Sequence, residues 1–254
     1  MKRLATALVL IPLVSWIILA APQWLFMAAV AVVGLLAFRE YDRIVAEQNL
    51  PSPGIVGMAA GLAVLFVPNP WLTAVLVTLV ALTAALRVRE LSRALSTAAA
   101  FVLGVLYIFG AWRCALDLRA MNPHWLMFAM LLSWAGDTAA FYAGHAFGKH
   151  ALAPRISPAK TWEGSAGSVV GGLVAGAVYG HYLLPIAPML LVVAIAAAGN
   201  VAGQIGDLAE SALKRGAGVK DSGTSLPGHG GWLDRIDSSL FAVPVVYALV
   251  RWMA

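Results

Sequence analysis

From Leu4 to Phe38 the chain carries no charged side chain, and only Pro22-Gln23 interrupts the apolar sequence. In lipid an unpaired backbone N–H or C=O costs roughly 2–7 kcal/mol, so a stretch like this crosses as helix, whose hydrogen bonds are internal, and not as open sheet. Pro22-Gln23 then marks the turn between two spans of slightly under ~20 residues each. Lys2-Arg3 before an apolar run also fits a cleavable signal peptide. However, Ala20-Ala21 lead into a second apolar stretch rather than a polar mature segment, which favours the pair of spans.

The pattern recurs along the whole chain. Apolar runs near 5–21, 24–38, 54–67, 71–86, 95–112, 124–142, 165–184, 188–206 and 238–253 predict an all-α polytopic membrane protein with about nine transmembrane helices. The runs are too continuous for the alternation of a lipid-facing β-barrel. With 61% hydrophobic and 11% charged residues, the composition lies far from the roughly 25% charged residues of a soluble domain. We expect one integrated membrane domain over 1–254, with no repeat and no appended soluble domain. The single cysteine, Cys114, excludes an intramolecular disulfide and a cysteine-based metal cage, and reads as a small apolar filler.

Positive charge orients the chain. If the amino terminus is cytoplasmic and nine spans alternate, all Lys and Arg fall on that side except Arg113, Arg119 and Arg251. This is the asymmetry that the positive-inside rule demands. The charged loops near 143–164 and 207–237 then both face the cytoplasm, and the net charge of +5 reflects basic loops beside anionic lipid, with no nucleic-acid partner.

Chemistry concentrates in those two loops. Between Asp207 and Asp237 lie nine of the chain's 17 basic and 12 acidic residues, interspersed with glycine. Carboxylates hold divalent cations, Lys and Arg neutralise phosphate oxygens, and glycine lets backbone N–H groups approach an anion. Asn200, Gln204, Asp207, Ser211 and Lys214 recur at offsets that keep one helix face, which predicts either the wall of a polar cavity or, for Asn200 and Gln204, hydrogen bonds between helices. Asp234 and Asp237, three apart, share a face at the start of the last span. Carboxylates from two helices could thus meet around Mg²⁺. Asp137, in the sixth span, is a costly carboxylate that implies a partner, a cavity or wetting at the interface.

In the earlier loop, Lys160-Thr161 lacks the glycines of a P-loop. Ser157, Lys160, Thr161 and Glu163, stiffened by Pro154 and Pro158 before a helix amino terminus, remain candidate phosphate contacts. His229, in a glycine-rich loop, is a candidate phosphate-orienting or structural group. The small-residue stretch Gly167–Gly180 suits close helix packing, either within the protomer or across a homodimer interface.

Ser211, Leu213, Lys214-Arg215, Lys220-Asp221, Gly223, Leu226-Pro227, His229-Gly230-Gly231, Asp234-Arg235 and Asp237 resemble, in type and spacing, the signature of the phosphatidate cytidylyltransferases. The segments FGKH and ISPAKTWEG and the opening KRLATALVLIPLV also resemble that family, so the likeness covers essentially the whole chain, most specifically 144–165 and 207–237. Trp232 departs from the family's aliphatic residue or Phe. The resemblance implies an enzyme that joins CTP and phosphatidate into CDP-diacylglycerol and pyrophosphate with one or two Mg²⁺ ions, at the cytoplasmic face of a bacterial inner membrane. Asp207, Asp234 and Asp237 would form the metal shell, with Asp221 beside them. Lys160, Lys214, Arg215, Lys220 and Arg235 would meet the phosphates, Lys214 and Lys220 being counted as catalytic, and Ser211 and His229 would help bind substrate. Two alternatives remain: a CTP-dependent enzyme acting on an isoprenoid lipid phosphate, and a transporter for an anionic solute.

Overall fold

Proline and asparagine decide where several helices begin. The computed structural model describes residues 2–225 and 230–253. Helices α1 (Lys2–Leu19) and α2 (Gln23–Glu47) flank Pro22. Next come α3 (Gly54–Phe66) and α4 (Pro70–Ala85), the latter capped by Asn69, whose side chain accepts from the Leu72 N–H at 3.0 Å. Helix α5 (Ala94–Gly104) passes through a π-helical stretch (Val105–Gly110) directly into α6 (Ala111–Met121), forming a single rod. Asn122 and Pro123 start α7 (Pro123–Phe147) in the same way as Asn69 and Pro70 start α4. A short antiparallel hairpin, β1 (Ala151–Ala153) and β2 (Ser157–Thr161), leads to α8 (Trp162–Leu183), which Thr161 caps. Helices α9 (Met189–Gly216) and α10 (Leu233–Met253) complete the fold.

The described residues thus form nine helical rods at the nine apolar runs. Five of them (α2, the α5–α6 rod, α7, α9 and α10) are long and apolar enough to cross a membrane, which makes this an all-α polytopic membrane protein. Helix α3, with 13 residues, is about 20 Å long and α4, with 16, about 24 Å, so both are shorter than the roughly 30 Å hydrocarbon core.

Boundaries differ from the sequence expectation in one consistent direction: helices continue past their charged ends. α2 runs on to Glu47, α7 to Phe147 and α9 to Gly216, while α10 begins at Leu233. The fifth run continues to Met121, because its charges serve the neighbouring turn regions. Arg113 Nη1 donates to the carbonyls of Leu65 (3.2 Å) and Val67 (2.8 Å) at the end of α3, and its Nε pairs with Asp117 at 3.2 Å. Arg119 donates to Ile18 O at 2.7 Å and to Ala21 O and Gln23 Oε1 at 2.5 Å, with its guanidinium 4.5 Å from the Phe26 ring centroid. Carbonyls at a helix end that lack an intrahelical partner are satisfied in this way.

Close helix contact comes from small residues. The buried face of α8 reads Gly164, Ser168, Gly172, Gly176, Gly180, one residue per turn. It packs within the protomer, against α7 and α9: a Cβ on Gly172 would lie 2.7 Å from Asn200 Nδ2, and one on Gly176 2.8 Å from Ala196 Cβ. Buried Asn200 on α9 reaches Ser168 at 3.2 Å on α8 and the Leu132 carbonyl at 3.4 Å on α7, so it glues three helices. Such intramembrane hydrogen bonds average about 0.6 kcal/mol each, so the glycine packing decides the spacing and Asn200 its register.

The approach that matters most for the charged residues is between α9 and α10. At Gly206 a Cβ would sit 2.7 Å from the Asp237 carbonyl oxygen. We expect Gly206→Ala to push α10 away and destabilise the protein by about 1–3 kcal/mol. Gly110→Ala, whose Cβ would meet only Leu106 at 3.9 Å, should be nearly neutral. Thermal unfolding in detergent measures both.

Candidate active site

Five helix ends and the hairpin meet at one end of the molecule: the C-terminal ends of α2, α7 and α9 and the N-terminal ends of α8 and α10. Alternating antiparallel helices produce this convergence, and it places the two charged segments side by side.

Two cavities open there, and Asp137 and Asp207 line both. The larger, of about 470 Å³, lies between α7, α8, α9 and the hairpin. Its lining mixes Ala140, Phe141, Leu152 and Ala159 with Lys160, Thr161, Ser165 and Gln204. The smaller, of about 260 Å³, is almost wholly polar, with Lys214, Asp221, Asp234, Arg235, Asp237 and Ser238 completing its wall. The polar stripe of α9 is therefore divided. Asn200 holds helices together, Gln204 both bonds Asn200 at 2.9 Å and faces the larger cavity, and Asp207 and Lys214 face the smaller one.

The carboxylates are not left bare. Lys160 on β2 pairs with Asp207 on α9, and the Ser211 hydroxyl lies 3.5 Å from Asp207 Oδ1. Lys214 bridges Asp234 and Glu210, each at 2.5 Å; the lysine side chain is only 10% exposed and that of Glu210 fully buried. Asp234 also accepts from the backbone N–H of Gly231 (2.7 Å) and of Ser222 (3.1 Å). Asp237 is buried at the α9 contact and accepts from the Ser238 N–H at 2.7 Å.

The structure thus brings together Lys160, Thr161, Asp207, Lys214, Asp221, Asp234, Arg235 and Asp237, with Asp137 between the two cavities. Other candidates stand elsewhere. Lys220 is exposed and lines neither cavity. Arg215 donates to the carbonyls of Ile156 (3.3 Å) and Val219 (3.2 Å), tying the end of α9 to the hairpin. Ser157 and Ser211 line neither cavity. Glu163 anchors the turn before the hairpin, with Oε1 2.6 Å from His150 Nδ1 and Oε2 accepting from the N–H groups of Lys149 and His150. The His150 contact, then the amides, pull its pKa down to about 2. That tie is fully made above the ordinary glutamate range and is lost only as pH falls toward that value. His229 lies outside the described residues.

Sequence reasoning missed Glu210 and Glu40. Glu210 left a signal, since Glu at i and Lys at i+4 form a helical ion pair, here with Lys214. Glu40 has the sequence setting of a polar end to an apolar span, but it is buried and accepts from Ser222, Ser225 and Leu233. That pairing spans most of the chain and leaves no local pattern.

Among the described residues no three of His, Cys, Asp and Glu converge into a set able to hold a metal ion alone. The donor set is nonetheless all hard oxygen, and Mg²⁺ ordinarily takes one or two carboxylates with phosphates and water as its other ligands.

Breaking the Lys214 bridge should be severe, because it strands buried Glu210. Lys214→Met is expected to cost about 3–5 kcal/mol, and adding Glu210→Gln should recover part of that loss. Denaturation of the two variants in detergent would show the non-additivity.

Residues 1–253 match the profile of the cytidylyltransferase family. The chain is 41% identical over 152 residues to a phosphatidate cytidylyltransferase of Bacillus subtilis, covering 58% of this chain and 56% of that protein. It is 39% identical over 163 residues to one of Haemophilus influenzae, covering 61% and 54%. A Staphylococcus aureus protein of the same name is 32% identical over 227 residues, covering 86% of this chain and 87% of its own length. The chain thus spans little more than half the length of the first two relatives and most of the third. With the profile matched from end to end, and the matched residues converging on one charged pocket, the chain belongs to the cytidylyltransferase family.

Proposed function

We propose that this protein transfers the cytidylyl group of CTP to phosphatidate, giving CDP-diacylglycerol and pyrophosphate. The observation that carries this reading is the pair of cavities sharing the Asp137 and Asp207 wall, one charged and one partly apolar. Two substrates, one highly charged and one a lipid, need such a junction. The relatives' common name, phosphatidate cytidylyltransferase, supports the same substrates.

A phosphate oxygen of phosphatidate attacks the α-phosphorus of CTP, the bond to the β-phosphate breaks, and pyrophosphate leaves with that electron pair. The attacking group is already an oxyanion, so the chain needs no general base and no covalent intermediate. Its work is alignment and charge neutralisation. Lys160, Lys214 and Arg235 supply the positive charge near the smaller cavity, and the Thr161 cap holds the start of α8 against the larger one.

Charge balance argues for Mg²⁺. The small cavity is lined by five carboxylates (Asp137, Asp207, Asp221, Asp234 and Asp237) and only two cations, Lys214 and Arg235. A triphosphate entering it alone would meet net repulsion. Mg²⁺ held by one or two of Asp207, Asp234 and Asp237, with phosphate and water as its other ligands, would offset much of that excess and stabilise charge on the leaving pyrophosphate. Gathering of charge at one end of the bundle disfavours a transporter, whose site ordinarily lies near the midplane.

In purified protein we expect pyrophosphate release to require CTP, phosphatidate and Mg²⁺ together. Asp207→Asn and Asp237→Asn should each lower kcat by about 100-fold or more in protein that still folds. Near-normal turnover in both variants would remove the assignment of the small cavity as the reaction centre.

We further propose that this end faces the cytoplasm of a bacterial inner membrane, where CTP is available. In a Cys114→Ala background, single cysteines at exposed Lys220 and Asn69 should react with an impermeant thiol reagent from opposite sides, Lys220→Cys from the cytoplasm. Reaction of both from one side would refute the orientation.

A further inference from the structure

Glu40 lies near the charged end of α2, remote in sequence from the α9–α10 segment, and is only 2% exposed. Every hydrogen bond it accepts through its side chain among the described residues comes from that segment. Oε2 accepts from the Ser222 hydroxyl at 2.9 Å and from the Leu233 N–H at 2.9 Å, and Oε1 accepts from the Ser225 hydroxyl at 2.8 Å. Leu233 opens α10, so a different helix caps one of its unsatisfied N–H groups. Glycines close the fit: a Cβ on Gly223 would lie 2.7 Å from Glu40 Oε1, and one on Gly231 would collide with Oε2. No Lys or Arg pairs with Glu40 among the described residues.

The segment it grips is also the one that fixes Asp234. Ser222 bonds Glu40 through its hydroxyl and Asp234 through its backbone N–H, and Gly231, packed on Glu40, donates its N–H to Asp234. An amide can aim at a carboxylate only while its own segment is held still. Both amides aimed at Asp234 are held by contact with the same glutamate.

We propose that Glu40 is a positioning residue for the transfer reaction, clamping Ser222, Ser225 and Leu233 onto α2 so that Asp234 is presented to the small cavity in one orientation. It touches no substrate and acts through Ser222, Gly231 and the start of α10. Its donors are neutral, so its role is that of a double acceptor and not of a charge. The kinetic consequence rests on the transfer reaction proposed above; the clamp itself does not.

The test uses full-length protein in a Cys114→Ala background carrying Thr224→Cys, an exposed position within the clamped segment. Glu40→Ala should speed thiol labelling there, raise KM for CTP and lower kcat, each by about tenfold. Glu40→Gln, which keeps an oxygen for Leu233 and an amide that can donate to the Ser225 hydroxyl, should stay within about threefold of the parent. A merely structural role would reduce the amount of active enzyme and leave KM and labelling at parental values, which would overturn the proposal. Equal damage in the Gln and Ala variants would overturn the acceptor role. If Glu40→Ala does not fold, Ser222→Ala decides: faster labelling with a raised KM supports the clamp, and no change in either refutes it. A parent protein with no CTP-dependent turnover would defeat the transfer reaction, while the labelling rates would still show whether Glu40 holds the segment.

Discussion

The close crossing of α9 and α10 governs everything at the charged end. Gly206 brings the Asp237 backbone against α9, an approach that any side chain larger than hydrogen would forbid, and the buried Asp237 carboxylate shares that crossing with the acidic residues of α9. Carboxylates so crowded repel one another, and the cost is countered locally. Lys214 stands between Asp234 and Glu210, and Lys160 comes from the hairpin to Asp207. Neither lysine is a free surface charge. Each holds a carboxylate in place.

The membrane-spanning pattern was legible because lipid imposes it: apolar runs report immersion, and the nine runs coincide with nine rods among the described residues. Helix ends were less legible, since hydropathy marks where the membrane stops and not where hydrogen bonding stops. Arg113 and Arg119 have the sequence setting of a span's end but lie within a helix and satisfy carbonyls of neighbouring turn regions. The charged segments were read correctly as the place where charged groups gather, because charge beside lipid is costly and therefore informative. Individual contacts within them were less legible. Arg215 and Glu163 resemble phosphate contacts in sequence, yet both fasten the hairpin, and a local pattern cannot distinguish a guanidinium aimed at a carbonyl from one aimed at a ligand. Glu40 depends on a partner far along the chain, which no periodicity reveals.

The two cavities also explain why a single α9 face carries such different side chains. Deep in the bundle its amide, Asn200, meets hydroxyl and carbonyl partners on α7 and α8. One turn outward Gln204 shares itself between that network and the larger cavity, and beyond it come Asp207, Ser211 and Lys214. Polarity rises along the face toward the cavity mouths, and where its charges are buried, at Glu210 and Lys214, they are paired.

Arg113 and Arg119 lie at the opposite end from the cavities, where together they stitch α6 to the ends of α1 and α3. The end of the bundle away from the cavities is thus fastened by side chains of a single helix. Two guanidinium groups from one helix thereby satisfy carbonyls that the ends of α1 and α3 leave without a helical partner, so neither end depends on the lipid headgroups or on water for those bonds.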